Sequence, residues 1–301
     1  MNLLRVEGLF KQFGEITAVN RINFQIEKGR CMALLGPNGA GKTTTLKMLC
    51  GLIKPNEGTI QFSEMNGVDL RQYIGYMPQY PVFYNWMSGR EFINYVGSLA
   101  HMNRADLKVR TPELLELVGL KDALNRKIGG YSGGMKQRLG LAQAMIHSPK
   151  LLMLDEPVSA LDPIGRREVL DMMQMIKKET TILFSTHVLH DAEEISDDVV
   201  IMRGGEIVLD GSLSNILERN QKPIIKIQAE CSLETWASDW KDNDLVEMIE
   251  NIDGGYQFTV RDIHKAKEQI FADLANKKIP VLKFEVAQTS LEDLFMKVVQ
   301  R

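Results

Sequence analysis

The sequence predicts an α/β protein in which a larger domain with a mostly parallel sheet is followed by a small α+β domain. Three observations lead to this fold class. Strand-like and helix-like segments alternate over residues 151–202, as they do where crossover helices join parallel strands. A glycine-rich loop at 36–43 follows an apolar run and precedes a helix-like segment. A polar, proline-containing stretch at 220–223 marks a boundary in a chain of 301 residues, which is long enough for two domains.

The first domain is expected to span residues 1–219 and to begin with strands. Short apolar runs bounded by Gly, Asn or charged residues predict strands at 3–10, 22–27, 31–35, 58–62 and 73–77. In the middle of the domain, apolar residues recur at helical spacing, at 89–102, 112–118 and 134–147. We therefore expect a helical insertion over residues 80–149 in a domain otherwise built on sheets.

The alternating segment supplies the rest of this domain. Its predicted strands are 151–154, 180–185 and 199–202. Together with a helix after the glycine-rich loop, the predicted helices are 43–52, 165–178, 188–195 and 212–218.

The second domain, residues 222–301, has the order β-α-β-β-α-β followed by a last helix. Its predicted strands are 224–229, 245–250, 256–260 and 281–286, with a hairpin turn at Asp253-Gly254-Gly255. Its predicted helices are 232–240, 264–276 and 291–299. This order is that of a ferredoxin-like domain.

Composition and charge exclude several functions. The formal net charge is −3 and charged residues make up 25% of the chain, so no basic surface predicts nucleic-acid binding. Charges stand at the N-terminus where a secretion signal requires an apolar stretch, and no segment is suited to span a membrane. Cys31, Cys50 and Cys231 are too few and too scattered for a disulfide framework or a zinc site. We expect a cytoplasmic chain that reaches a membrane only through another protein.

The loop Gly36-Pro37-Asn38-Gly39-Ala40-Gly41-Lys42-Thr43 matches the phosphate-binding pattern G-x-x-x-x-G-K-[ST] at every defined position. Its glycines let several backbone N–H groups point at one anion, and the helix that follows adds its partial positive charge. Lys42 supplies a charge for the β- and γ-phosphates, and the Thr43 hydroxyl is an oxygen ligand suited to Mg²⁺. With Thr44, which follows directly, this loop predicts the nucleotide site of a P-loop NTPase.

Two acidic residues end the apolar run at 151–154. Asp155 and Glu156 would lie at the carboxyl edge of a parallel sheet, where ligands bind. Asp155 is suited to hold Mg²⁺ through water, and Glu156 is suited to polarise an attacking water. Two acids at a strand end can also be purely structural, but the phosphate loop favours the catalytic interpretation.

A second helix start has the features of an anion site. Ser132, Gly133 and Gly134, in the run Tyr-Ser-Gly-Gly-Met-Lys-Gln-Arg, open the helix that ends near His147. A capped helix with a glycine turn would explain Ser132 but not the whole run. One nucleotide does not need two such helix starts from a single molecule.

The motifs, taken in order, resemble those of the ATP-binding subunits of ABC transporters over residues 2–219. The Ser-Gly-Gly-Met-Lys-Gln-Arg run is similar to the family signature, and Leu-Asp-Glu-Pro follows it. Gln79 matches the Q-loop glutamine, Ser159-Ala160-Leu161-Asp162 the D-loop, and His187 the switch histidine. The resemblance implies a RecA-like core with an antiparallel β subdomain and a helical subdomain.

The same resemblance implies an active site shared by two subunits. In this family the phosphate loop of one subunit and the signature of the other close on the same ATP, which accounts for the second anion site. It implies that Ser132 and Gly134 contact the γ-phosphate held by the partner and that Asp162 links the two sites. It also implies that Gln79 senses Mg²⁺ and the attacking water, and that His187 holds the γ-phosphate.

The residue at the adenine position departs from the commonest family pattern. Phe13 stands where the family stacks an aromatic ring on adenine, and most members have Tyr there. Because stacking requires only the ring, adenine binding is expected to be retained.

The C-terminal run at 288–295 resembles the tail of ATPases from ABC-2 type exporters, which handle drugs, peptide antibiotics, lipids or polysaccharides. We expect an ATPase that powers such an exporter by ATP-driven dimer closure, with ATP and Mg²⁺ as cofactors. Its expected partners are a membrane-spanning subunit and a second ATPase subunit, identical or different, at the cytoplasmic face of the cell membrane. The alternatives are an importer ATPase and a soluble ABC ATPase that acts on ribosomes or DNA. For the C-terminal domain, a regulatory or dimer-stabilising role and a plain structural one both stay open.

Overall fold

The computed structural model describes residues 1–63, 69–159, 161–220, 223–287 and 290–299. The chain divides into two compact units, Met1–Leu213 and Ser214–Arg301. The division, between Leu213 and Ser214, lies within the helix 212–218 that the sequence analysis assigned to the end of the first domain. Residues 221 and 222 of the predicted linker are outside the described ranges, as are residues 288 and 289 of the predicted exporter-like tail.

The first unit contains two sheets and a group of helices. Its strands are β1 Asn2–Phe13, β2 Ile16–Glu27, β3 Cys31–Leu35, β4 Glu57–Phe62, β5 Ile74–Met77, β6 Leu151–Asp155, β7 Thr181–Thr186, β8 Asp198–Arg203 and β9 Glu206–Ser212. Its helices are α1 Lys42–Leu49, α2 Gly89–Leu99, α3 Arg104–Leu117, α4 Gly133–Met145, α5 Pro163–Ile176 and α6 Leu189–Ile195.

The larger sheet has the strand order β5-β6-β7-β3-β8-β9. The first five strands in this order, β5, β6, β7, β3 and β8, are parallel to one another. The last strand, β9, is antiparallel to β8. Every residue of β3, β6 and β7 is buried, because both faces of a parallel sheet are covered. This confirms the predicted parallel α/β core.

Strand β9 was missed by the sequence analysis. It is half exposed, so its apolar signal is weak. The signal that could have revealed it is the turn at Gly204-Gly205, where both residues have positive φ (56° and 84°). Two such residues between apolar runs are typical of a tight β-hairpin.

The smaller sheet is antiparallel, with the order β2-β1-β4. Its apolar residues belong to one core cluster with residues of the parallel sheet and of α1. Leu4, Leu9, Ile26, Leu34 and Leu46 are all fully buried in that cluster. Because α1 is fixed in this core, the phosphate loop at its start is held between the two sheets.

Helices α2, α3 and α4 form the predicted helical insertion. Ser88 and Glu91 cap α2 reciprocally, which defines its first turn. The predicted start of α3 at residue 112 is wrong, since the helix begins at Arg104 after the Asn103 cap and contains Pro112. Pro112 removes one helical hydrogen bond, and the burial of Leu114 and other apolar residues of α3 offsets this loss.

The second unit is ferredoxin-like, as predicted. Its elements are α7 Leu213–Asn220, β10 Ile224–Ala229, α8 Glu234–Asp239, β11 Val246–Ile252, β12 Gly255–Val260, α9 Ile263–Asn276, β13 Val281–Ala287 and α10 Leu291–Val299. The sheet is antiparallel with the order β11-β12-β10-β13. The indole N–H groups of Trp236 and Trp240 both donate to Asp273 Oδ2, at 2.7 and 3.1 Å, and fix α8 to α9.

Candidate functional site

The phosphate loop connects β3 to α1 and passes very close to neighbouring backbone. Gly36 and Gly41 have φ of 154° and 102°. A Cβ at Gly36 would lie 2.4 Å from the Met202 carbonyl oxygen, and one at Gly41 would lie 2.4 Å from the Ala18 carbonyl oxygen. These two positions therefore require glycine for conformation and for space.

The remaining residues of the loop divide into an anchored part and an exposed tip. The Ala40 backbone accepts a hydrogen bond from Gly205 N at 3.2 Å, and Thr44 lies in the first turn of α1. The exposed tip consists of Pro37, Asn38 and Gly39. The loop is thus fixed at both ends, with its tip open to a ligand.

Lys42 is buried inside this loop although it carries a charge. Its side chain is only 7% exposed. Its Nζ donates to the carbonyl oxygens of Gly36 and Pro37 at 2.7 and 3.3 Å, and lies 3.5 Å from Glu156 Oε1. A buried ammonium held in this way gives a fixed positive charge at the start of α1.

Asp155, at the end of β6, is the centre of a hydroxyl cluster. Its Oδ1 accepts hydrogen bonds from Thr43 Oγ1 at 3.0 Å and from Ser185 Oγ at 2.7 Å. Ser185 Oγ in turn accepts from the Glu156 backbone N–H at 3.0 Å. Ser185 was missed by the sequence analysis; its place directly opposite Asp155 in the β6–β7 register could have indicated it.

Glu156 has an unusual backbone and a histidine partner. Its φ is 50°, a left-handed conformation that costs free energy for a non-glycine residue and is common at functional sites. Its side chain is 8% exposed, and Oε2 lies 2.8 Å from His187 Nδ1. The His187 side chain is 48% exposed, so the pair reaches from the buried sheet edge to the surface. The structure thus brings Lys42, Glu156 and His187 together.

Gln79 and Phe13 lie on two other elements of the first unit. Gln79 is half-buried, two residues beyond Met77, which is in register with Leu154. It therefore belongs to the same sheet edge as Asp155. Phe13 ends β1 with 48% of its surface exposed, and Lys11 Nζ lies 5.0 Å from its ring centroid.

The second helix start is exposed. Ser132 caps α4 by accepting a hydrogen bond from Met135 N at 3.2 Å. A Cβ at Gly133 would meet nothing within 4 Å, and one at Gly134 would meet only Leu161, at 3.8 Å. In the part of the chain that the structure describes, no hydrogen bond or ion pair joins residues 132–134 to the phosphate loop.

Helix α4 is nevertheless fixed to the edge of the sheet that carries Asp155 and Glu156. Gln137 is 6% exposed, and its Nε2 donates to the Pro157 carbonyl oxygen at 2.7 Å. Asp162, which is exposed, caps α5 by accepting from Gly165 N at 3.2 Å. Ala160, the second residue of the predicted D-loop, is outside the described residues.

The segment after Gln79 presents an aromatic surface, defined here as Tyr80, Val82, Tyr84 and Trp86. These side chains are 71%, 86%, 47% and 66% exposed. The neighbouring Phe83 turns inward and packs on Phe92 with ring centroids 5.1 Å apart. Of the helices in the described residues, none has the length and apolarity to span a bilayer.

Two family models match the chain. The model described as ABC transporter matches residues 19–159, and the model described as ATP-binding protein DrrA1-3-like, C-terminal domain, matches residues 211–299. One solved structure, described as the structure of the ATP binding subunit of an ABC transporter, has a TM-score of 0.65 and 32% identity, and covers 72% of this chain and 92% of that chain.

Curated relatives extend the similarity to nearly the whole chain. The Uncharacterized ABC transporter ATP-binding protein YxlF of Bacillus subtilis (strain 168) is 47% identical over 99% of both chains. The Bacitracin transport ATP-binding protein BcrA of Enterococcus faecalis is 34% identical over 99% of this chain and 96% of its own length. The Lantibiotic transport ATP-binding protein SrtF of Streptococcus pyogenes is 38% identical over 69% of this chain and 90% of its own length. This chain therefore belongs to the ATP-binding subunits of ABC transporters, the ATPases that power transport, and within them to the ABC-2 type exporter group.

Proposed function

We propose that this chain hydrolyses Mg²⁺-ATP at the face between two ATPase subunits and that closure of the pair drives a membrane-spanning exporter subunit. The observation that carries the proposal is the cluster of Lys42, Glu156 and His187 beside the phosphate loop, together with a second helix start that faces open space. In this proposal the ATPase domain comprises residues 1–219 and the accessory domain residues 222–301.

Within one subunit, each residue of the cluster has a role that its environment supports. Lys42 binds the β- and γ-phosphates, because its charge is fixed inside the loop. Glu156 takes the proton of the attacking water, and its position is held by Lys42 and His187. His187 donates to the γ-phosphate from its exposed side, and the ring of Phe13 stacks on adenine.

The donor set fits a magnesium ion. Thr43 Oγ1 and Asp155 Oδ1 are hard oxygen atoms held 3.0 Å apart, and Gln79 belongs to the same edge. These three residues would hold Mg²⁺, directly or through water. When bound, the ion neutralises charge on the phosphate oxygens.

The exposed start of α4 completes the site of the other subunit. Ser132, Gly133 and Gly134 offer backbone N–H groups and a hydroxyl to the γ-phosphate of the partner's ATP, and Asp162 lies on the adjoining segment that links the two sites. Moving a pair from 1:99 to 99:1 closed requires about 5.5 kcal/mol, or roughly 2.7 kcal/mol for each ATP. A few charge-assisted hydrogen bonds provide this much.

The aromatic surface is proposed to contact the membrane-spanning subunit, which places the chain at the cytoplasmic face of the membrane. Large exposed aromatic side chains next to Gln79 support this assignment, since contiguous apolar patches mark interaction sites. The relatives named for bacitracin and lantibiotic transport support a peptide antibiotic as the cargo class.

The variant Glu156→Gln tests the proposed chemistry. We expect ATP binding to be retained, hydrolysis to fall by about 10²–10⁴-fold, and a dimer to accumulate with ATP. Binding is measured by titration, hydrolysis by phosphate release and dimerisation by sedimentation. The control Glu179→Gln changes an exposed glutamate and should behave as the parent protein. Parental turnover in Glu156→Gln would show that Glu156 is not the base.

A further inference from the structure

Helices α2 and α3 enclose a cavity of about 360 Å³ in the first unit. It is lined by Arg90 of α2 and by Arg104 and Lys108 of α3, and its floor includes Thr111, which is only 1% exposed. Cavities of roughly 300–1,000 Å³ are the size that proteins use for small ligands. In the described part of the chain, no acidic residue lines this cavity.

The three cations of the cavity have no ion-pair partner among the described residues. A neighbouring cation does have one, since Lys121 Nζ lies 2.6 Å from Glu116 Oε1. Arg104 and Lys108 are one turn apart on α3, where like charges repel and weaken a helix. Arg90 adds a third positive charge from α2. The fold therefore gathers three positive charges around one cavity without compensating them.

An amide donor near the floor adds to these charges. Thr111 Oγ1 donates a hydrogen bond to Asn94 Oδ1 at 2.7 Å, and both residues line the cavity. Because the amide oxygen receives this bond, the other end of the Asn94 side chain is its Nδ2 donor. Within the residues that the structure describes, Nδ2 has no hydrogen-bond partner. A ligand in the cavity would thus meet a neutral donor as well as three cations.

This set of groups matches a phosphate monoester. Such a group carries about −1.5 to −2 charge at pH 7 and has three strong acceptor oxygens. An arginine can bind two of these oxygens at once, and a lysine acts on them as a point charge. A carboxylate has a single negative charge and would leave most of the positive charge uncompensated. The volume of the cavity also leaves room for a small organic group attached to the phosphate.

We propose that the cavity between α2 and α3 binds a phosphate monoester, either of a small soluble molecule or of a phosphatidic acid headgroup. Tyr84 of the aromatic surface packs on Tyr95 of α2 with ring centroids 5.9 Å apart. The cavity therefore shares a helix with a contact of the surface that is proposed to meet the membrane-spanning subunit. Binding in the cavity requires neither hydrolysis nor a second subunit, so this inference does not depend on the proposed function.

Neutralising the two α3 cations tests the site in the full-length chain without ATP. The parent should bind glycerol 3-phosphate in a calorimetric titration. Arg104→Gln/Lys108→Gln should weaken this binding by at least about tenfold, because two of three charge-assisted contacts are lost. Lys42→Ala should retain the binding, which separates the cavity from the phosphate loop. The control Arg71→Gln/Lys121→Gln removes the same charge from two exposed, ion-paired side chains and should also retain it.

Vesicles distinguish the lipid source from the soluble one. Phosphatidylcholine vesicles are prepared with phosphatidic acid, or with phosphatidylglycerol at the same surface charge, and bound protein is measured by sedimentation. Preference for phosphatidic acid that is lost in Arg104→Gln/Lys108→Gln would identify the lipid headgroup as the ligand. Binding of glycerol 3-phosphate without that preference would identify a soluble ester.

Urea unfolding verifies that the double variant is folded. Arg104→Gln/Lys108→Gln should be at least as stable as the parent, because it removes a repulsive pair. Arg90→Gln, on the other helix, should weaken binding by at least about threefold and provides a second measurement.

Three outcomes would overturn the proposal. The first is that the parent binds neither glycerol 3-phosphate nor phosphatidic acid vesicles in preference to phosphatidylglycerol vesicles. The second is that the control Arg71→Gln/Lys121→Gln loses as much binding as the cavity variants. The third is that a polyglutamate peptide binds to the cavity cations and both phosphate esters do not.

Discussion

The starts of α1 and α4 obey the same local physics but differ in what surrounds them. Both follow glycine-containing turns, and the first backbone N–H groups of any helix have no partner within the helix. At α1, the buried Lys42 lies among carbonyl oxygens and beside Glu156. At α4, Ser132 and Gly133 are exposed, and the space in front of Gly133 is empty to 4 Å. One helix start is thus a finished site within its own chain. The other is open, and in the proposed function it is a half-site that a second chain completes.

The largest expected effect comes from blocking the half-site. Ser132→Arg should leave ATP binding unchanged and lower hydrolysis by at least about 10²-fold, because at that one site the hydroxyl proposed to contact the γ-phosphate is lost and a bulky side chain fills its place. Equilibrium binding and phosphate release measure the two properties. Ser98→Arg, an exposed change on α2, is the matched control. Hydrolysis at the parental rate would place the whole active site within one chain.

Removing the partner of Glu156 tests the finished site. His187→Ala should lower hydrolysis by about 10²-fold, since the carboxylate loses its 2.8 Å contact and the phosphate loses a donor. Binding should change little, because Lys42 and the loop remain. His190→Ala, three residues further on, serves as the control for phosphate release assays. Equal rates for the two variants would remove His187 from the mechanism.

Two glycine substitutions compare how tightly the two helix starts are packed, through the free energy of unfolding. Gly41→Ala should lower the free energy of unfolding by about 1–3 kcal/mol or more, because φ is 102° and Cβ would lie 2.4 Å from a carbonyl oxygen. Gly133→Ala should change it by less than about 0.5 kcal/mol, because Cβ enters open space. Urea unfolding of the variants gives both values. Similar losses would mean that the α4 start is packed rather than free.

His147, just beyond the end of α4, is expected to give the smallest effect, which is a change in how stability depends on pH. Burial lowers the pKa of His147, whose Nε2 lies 3.2 Å from the Ile74 carbonyl oxygen. The unfolded chain therefore takes up a proton first as pH falls below about 6.5, and the folded state loses stability there. Urea unfolding at pH 7.5 and 5.5 should show a smaller pH dependence in His147→Gln than in the parent or in His101→Gln, where the histidine is exposed. An unchanged pH dependence in His147→Gln would contradict this.

The sequence predicts the residues of the finished site better than the neighbouring side chains and elements that hold them in place. The phosphate loop and the two acids at the end of β6 match sequence patterns that are specific to nucleotide sites, so their positions follow from the pattern. Ser185 is ordinary in composition, and its contact with Asp155 depends on which strand lies beside β6. Strand β9 escapes because its residues are exposed or half-buried, so its apolar pattern is weak. The early start of α3 escapes because Pro112 is normally a helix breaker. Tertiary packing decides these three cases.

A mixing experiment tests the central claim, that each ATP is hydrolysed between two chains. Lys42→Ala disables the phosphate loop and Ser132→Arg disables the half-site, so each variant alone should be inactive. In a mixed pair, the intact loop of the Ser132→Arg chain meets the intact Ser132 segment of the Lys42→Ala chain. Phosphate release should therefore reappear on mixing and reach its maximum at equal amounts. Mixtures that hydrolyse ATP no faster than the separate variants would contradict the shared site.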